Sequence, residues 1–228
     1  GLDAFAHLHP RAALRSVFFA LLPPLPAGTY RVYADVIHES GFPQTLVDTV
    51  KIPAGTGGPP QDPDDSWRVS PPLDPKEAKP LEVSPLEDGG AMLWLRVALV
   101  AGRETELRFK VRGPDGRPAS LEPYMGMMSH AVIVRDNRRD DGQVFVHLHP
   151  MGTVSMAAQQ AFAKLEAKEE GKAVPVTMPA MSAGDTVSFP YEFPRPGRYR
   201  LWVQVKTGGK VQTGVFDAEV GNKGGAAP

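Results

Sequence analysis

The sequence predicts an all-β chain of two related β-sandwich modules, the second complete and carrying a helical insertion. Three observations predict it. A pair of motifs recurs along the 228 residues. Apolar and polar residues alternate through several short runs, as strands with one buried face require. Gly 23 and Pro 24 are abundant, which suits many short strands joined by turns.

The repeat comes first, because internal repeats define architecture before any other signal. One copy reads Phe5-Ala6-His7-Leu8-His9-Pro10, followed by Pro26-Ala27-Gly28-Thr29-Tyr30-Arg31. The other reads Phe145-Val146-His147-Leu148-His149-Pro150, followed by Arg195-Pro196-Gly197-Arg198-Tyr199-Arg200. Each runs on to a strand containing Gln-Thr, at Gln44-Thr45 and Gln212-Thr213. Alternation places Tyr199, Leu201, Val203 and Val205 on one strand face, and Tyr30, Val32, Ala34 and Val36 on its counterpart, with Arg200 and Arg31 opposite. The Gly-x-Tyr opening resembles the tyrosine corner of immunoglobulin-like sandwiches, in which the hydroxyl ties the strand start to the preceding turn. Arg31 and Arg200 read as fold residues.

The second module, 92–221, is expected to hold seven strands, at 92–99, 104–111, 131–135, 143–149, 186–191, 198–206 and 211–220. Gly208-Gly209 suits a tight hairpin turn needing positive φ. An Ala/Lys/Glu-rich insertion at 155–170, with Ser155 as N-cap and Gly171 after its end, predicts a helix. The first module, 1–52, starts where the second is past its middle, so it is a partial sandwich; what completes it is open. Residues 53–91 have a Pro/Gly-rich linker composition with Trp67 packing on a domain, and 222–228 a flexible tail. The chain opens at Gly1 without a signal-peptide pattern, so a processed or trimmed chain is expected.

Composition excludes several classes. No apolar run is long enough to span a membrane. Net charge is -1 with interspersed signs, which gives no nucleic-acid footprint. Without cysteine there are no disulfides, thiolate metal sites or thiol nucleophiles. No nucleophile elbow, phosphate-binding glycine loop or His-Glu-x-x-His is present, and alternation turns Ser129 and His130 apart. The chain is therefore expected not to be an enzyme.

The chemistry concentrates in histidine and methionine. His147 and His149 share one strand face. The 136–142 turn makes a hairpin that returns them towards His130, and register decides whether all three rings project together. Three thioethers precede His130 in Tyr124-Met125-Gly126-Met127-Met128, and Met151 and Met156 follow the second His-Leu-His-Pro. Imidazole and thioether without thiolate favour copper, particularly Cu(I). His7 and His9 are candidates by the same spacing, with the second module the stronger of the two. The bland alternative makes the histidines structural and the methionines core fillers. His38 reads as exposed and the 136–141 turn as a solvated tip.

The string Tyr-Met-Gly-x-Met-x-His-x-Val-x-x-Arg-Asp, then Val-His-x-His-Pro, then Phe-x-x-Pro-Gly-x-Tyr-x-Leu-x-x-Gln resembles exported bacterial YtkA-like domains, over 92–220 well and 5–52 in part. The resemblance implies an immunoglobulin-like sandwich, a periplasmic or extracellular location and an association with copper handling. It carries His130, His147 and His149 over as the matched positions, with Met127 or Met128 as thioether. The expected function is metal binding, with copper as cofactor, for storage, delivery or resistance. The rival is a non-catalytic interaction or spacer module for a protein or glycan. Expected partners are a metal ion and another exported protein.

Overall fold

The computed structural model describes residues 2–14, 16–59, 62–73, 82–136, 143–154, 156–170 and 184–222. It is mostly β, with several sheets and one helix among the described residues. Contacts divide the chain into two compact units. The first comprises Gly1–Leu21, Pro60–Thr153 and Ala183–Pro228; the second comprises Leu22–Pro59 and Val154–Ser182. This grouping crosses the boundaries that the repeat suggests, and residues 1–21 fold with the later part of the chain.

In the first unit the strands are β1 (Ala4–His7), β2 (Arg11–Leu14), β3 (Val17–Phe19), β6 (Ser66–Val69), β7 (Val83–Pro85), β8 (Ala91–Leu95), β9 (Glu104–Arg112), β10 (Ser129–Arg135), β11 (Phe145–Leu148), β12 (Thr186–Glu192), β13 (Gly197–Thr207) and β14 (Lys210–Val220). Two four-stranded sheets, in the orders β11-β10-β13-β14 and β12-β9-β8-β7, share one core. Alternation builds it. Tyr199, Leu201, Val203 and Val205 from β13 meet Leu107, Phe109 and Val111 from β9, all fully buried. Truncating such a phenylalanine to alanine costs about 3–5 kcal/mol. Gly214 makes room here for Met92, whose sulfur would stand 2.8 Å from an added Cβ and would have to shift.

The stretch 53–91 is not bare linker. Its β6 pairs with β1, and its β7 extends the second large sheet. Strands of three or four residues among prolines leave too few positions for a periodic signal. Besides β1-β6, a second two-stranded piece, β2-β3, exposes Leu14 and Phe18.

Arg200 carries the N-terminal segment. Its guanidinium donates to both carboxylate oxygens of Asp217, at 2.7 and 2.9 Å, and to the backbone oxygens of Leu2 and Pro71, at 2.7 and 2.6 Å. A fork-shaped donor suits that fourfold demand, and Arg200 is accordingly buried.

The second unit contains β4 (Gly28–Ile37), β5 (Pro43–Ile52) and α1 (Met156–Glu170). The β4-β5 hairpin reproduces β13-β14 pair for pair: Tyr30 opposes Val50 as Tyr199 opposes Ala218, and Val36 opposes Gln44 as Val205 opposes Gln212. Both tyrosine hydroxyls donate to the carbonyl four residues earlier at 2.7 Å, Tyr30 to Pro26 and Tyr199 to Arg195. The turns differ. Gly208 and Gly209 both take positive φ in a two-residue loop, whereas β4-β5 closes through residues 38–42. There His38 Nε2 bonds Gln44 Oε1 at 2.9 Å. The Ser155 cap, the Gly171 end of α1, most of the 136–142 tip and the tail from residue 223 lie outside the described residues.

Candidate metal centre

Each strand of the β11-β10-β13-β14 sheet has an inner face on the core and an outer face. Ala131, Ile133 and Leu148 point inwards. Register settles the question left open by the sequence: Ala131 opposes Leu148 and Val132 opposes His147. Continuing the ladder by one residue sets His130 across from His149. All three imidazoles therefore project from the outer face. Pro150 and Met151 form a tight turn, closed by reciprocal His149–Gly152 backbone bonds of 2.7 and 2.8 Å, which ends the strand at the sheet rim.

β1 and β6 lie across that outer face. Phe5 and His7, two residues apart, project to one side of β1 and meet Trp202 and Gln204, also two residues apart, on β13. Phe5 stacks on Trp202 at 5.0 Å between centroids. His7 Nδ1 bonds Gln204 Oε1 at 2.8 Å, and Gln204 Nε2 donates to Ser66 Oγ, the residue that opposes His7 in the β1-β6 ladder. Gln204 itself opposes His130. Trp202 joins Val132 and Val215 in a small second core beneath Leu2 and Phe5.

The two His-Leu-His copies thus converge on one place. His147 and His149 lie 4.7 Å apart, His130 and His149 5.0 Å, and His130 and His147 5.4 Å, measured between ring centroids. His7 stands 4.8 Å from His147 and 5.7 Å from His130, with His9 a further 4.9 Å from His7. One ligand nitrogen from each of His130, His147 and His149 falls within 4.8 Å of the others. His9, Asp62 and Asp65 form a second, more exposed group meeting the same limit.

Electrostatics keeps His130 neutral. Burial pushes its pKa far below the ordinary imidazole range, and the neighbouring His147, His7, His149 and His9 push it further down. Its Nδ1 is buried without a hydrogen-bond partner, an expensive arrangement unless something else takes the lone pair or proton. Tyr124 packs edge-on against the His130 ring at 4.8 Å.

The surrounding loop is held by charge. His9 donates its backbone N–H to Asp65 Oδ1 at 2.7 Å, and its Nδ1 lies 3.0 Å from the same oxygen. Lys206 Nζ donates to Asp64 at 2.7 Å. Carboxylates bonded to imidazole Nδ1 fix the tautomer that leaves Nε2 as the donor nitrogen.

The methionines separate. Met128 is partly buried and packs against the large core. Met127 is buried in the loop that Tyr124 closes by reciprocal backbone bonds. Sequence reasoning did not foresee that His7 and His9 join the second copy, nor the parts of Gln204, Ser66 and Asp65. One signal was available: Phe5-x-His7 and Trp202-x-Gln204 each put an aromatic two places before a polar residue on one strand face.

A family model described as a domain of unknown function, DUF8832, matches residues 86–222, more than half of the chain. No curated protein and no solved structure matches it.

Proposed function

The chain belongs to the DUF8832 family, and we propose that it is an exported metal-binding protein with an immunoglobulin-like sandwich as scaffold and copper as its ion. The observation that carries this reading is the convergence of His130, His147 and His149, one nitrogen from each lying within 4.8 Å of the others. Ligands bonded at about 2.0–2.1 Å to one ion stand roughly 3.3–4.2 Å apart, so a small inward movement of the rings suffices. The strongly lowered pKa of His130 supports a neutral, lone-pair-bearing donor there. A donor set of imidazoles without thiolate suits copper, zinc, nickel or iron, and copper(II) heads the affinity order. Met127 is the thioether that would extend this preference to Cu(I). The likeness to YtkA-like domains supports copper handling and a periplasmic or extracellular location, with storage, delivery or resistance as the purpose.

Calorimetric titration with Cu(II), and with Cu(I) under reducing conditions, tests the reading. One tight site is expected, lost in the His147→Ala/His149→Ala double variant. Unchanged stoichiometry and affinity in that variant would remove the assignment.

A second reading has one observation of its own. The β2-β3 hairpin leaves Leu14 71% and Phe18 66% exposed, which favours a protein-binding module in which the histidines are structural. Loss of partner binding in a Leu14→Ser/Phe18→Ser variant with copper affinity intact would assign that surface to such a role.

A further inference from the structure

We propose that the N-terminal strand closes the metal site: His7 is the fourth ligand of the ion held by His130, His147 and His149, and Gln204 is the residue that positions it. The inference rests on the metal-binding reading above and adds a ligand from the other His-Leu-His copy.

Geometry supplies the first argument. Imidazoles bound tetrahedrally to one ion have ring centroids about 5 Å apart, given metal–nitrogen bonds near 2.0–2.1 Å. The separations within the trio are 4.7, 5.0 and 5.4 Å, and His7 adds 4.8 Å to His147 and 5.7 Å to His130. His7 therefore stands at about the spacing of a fellow ligand from two of the three rings, outside the 4.8 Å limit that the trio's nitrogens meet, so binding would draw it inwards. Three side chains leave one position of a four-coordinate ion open, and β1 brings an imidazole beside the trio.

Gln204 supplies the second. A fully buried amide on a strand must be bonded at both ends, because an unmade bond costs more than a made one gains. Its nitrogen donates to Ser66 and its oxygen meets His7 Nδ1. An oxygen there requires Nδ1 to carry the proton, which leaves the lone pair of His7 on Nε2, on the far side of the ring from Gln204. Metal-ligating histidines are commonly held this way by an outer partner on the other nitrogen. Asp65 treats His9 alike, but His9 lies beyond His7 and is not needed for four-coordination.

The third is chain position. His7 opposes Ser66 across the β1-β6 ladder and Gln204 opposes His130 across the β10-β13 ladder. One bonded triad, His7–Gln204–Ser66, therefore joins the overlying strand pair to the sheet that carries the other three imidazoles.

The test uses the full chain loaded with one equivalent of Cu(II), with bound imidazoles counted by electron paramagnetic resonance and X-ray absorption. Four are expected in the wild type. His7→Ala is expected to show three, to keep one ion per chain and to lose at least about tenfold in affinity. His7→Asn, which retains a donor towards Gln204 without a ligand nitrogen, should match His7→Ala, and separates ligation from docking of β1. Gln204→Leu should weaken binding about 10–100-fold, the usual effect of losing an outer partner, while Gln204→Glu, which keeps the acceptor, should restore it to within a few-fold. If both His7 variants bind copper with unchanged imidazole count and affinity, this proposal falls and the three-histidine site stands. If the wild type binds no copper, or His147→Ala/His149→Ala binds it unchanged, the underlying site assignment falls.

Discussion

Phe5 lies flat on Trp202, with ring planes 16° apart and centroids separated by 5.0 Å. The contact seals the second core from above and sets the height at which β1 crosses the sheet. Phe5→Ala removes half-buried aromatic area and a stacked pair, at a cost of about 1–3 kcal/mol. Urea unfolding should show that loss, and Trp202 fluorescence should move towards the solvent-exposed wavelength in the native state. An unshifted native spectrum would mean that β1 is held by other contacts.

Arg200 is the second anchor. Replacing it by alanine leaves Asp217 without its fork and frees the carbonyls of Leu2 and Pro71. Removing one partner of a largely buried pair costs about 3–5 kcal/mol, and the partial exposure of Asp217 places the expected loss at the lower end. Arg200→Lys should recover less than half, since a single ammonium cannot reach four acceptors. Equal denaturation midpoints for Arg200→Lys and the wild type would refute this.

The two tyrosine corners make an internal comparison. Tyr199 is fully buried and Tyr30 is not, although both donate the same bond. Tyr199→Phe should destabilise by about 1–2 kcal/mol, since its hydrogen bond is part-buried, and Tyr30→Phe by less than about 1 kcal/mol, because its bond is exposed and water replaces the hydroxyl. Thermal denaturation of the two variants measures the difference. A larger loss at Tyr30 would reverse the assignment.

Acid should weaken the metal-free protein. The pKa of His130 is lowered on folding, so the unfolded chain takes up the proton first, and stability is full above the ordinary value of 6.5. Below it stability falls continuously towards the much lower folded value, by up to about 1.4 kcal/mol per pH unit for this one proton. Urea midpoints between pH 7.5 and 4.5 should trace that slope, and His130→Gln should flatten it. A slope unaltered by the substitution would place the acid sensitivity elsewhere.

The strands that residue alternation marks are the ones that bury a face. The runs at 104–111, 198–206 and 211–220 correspond to β9, β13 and β14 within a residue or two, because each alternates into the shared core. β6 and β7 escaped notice, since a strand of three or four residues among prolines is defined by what it pairs with. The His130, His147 and His149 trio was legible as far as one hairpin could carry it. The place of His7 was not, because it depends on a contact spanning 197 positions, His7 to Gln204, and local pattern carries no such information. Met128 shows a second kind of non-local information: its contact with the large core could not be read from its neighbours in sequence.

That span has a kinetic corollary. β1 is synthesised well ahead of β13, yet the surface it covers is completed only with β13. At about 5–20 residues per second the wait is roughly 10–40 s. Meanwhile Phe5 and both N-terminal imidazoles are without their final neighbours, and the docking step carries a long loop-closure cost. Docking of β1 therefore waits on β13, and the His130, His147 and His149 trio of the β10-β11 hairpin gains His7 only once it is done.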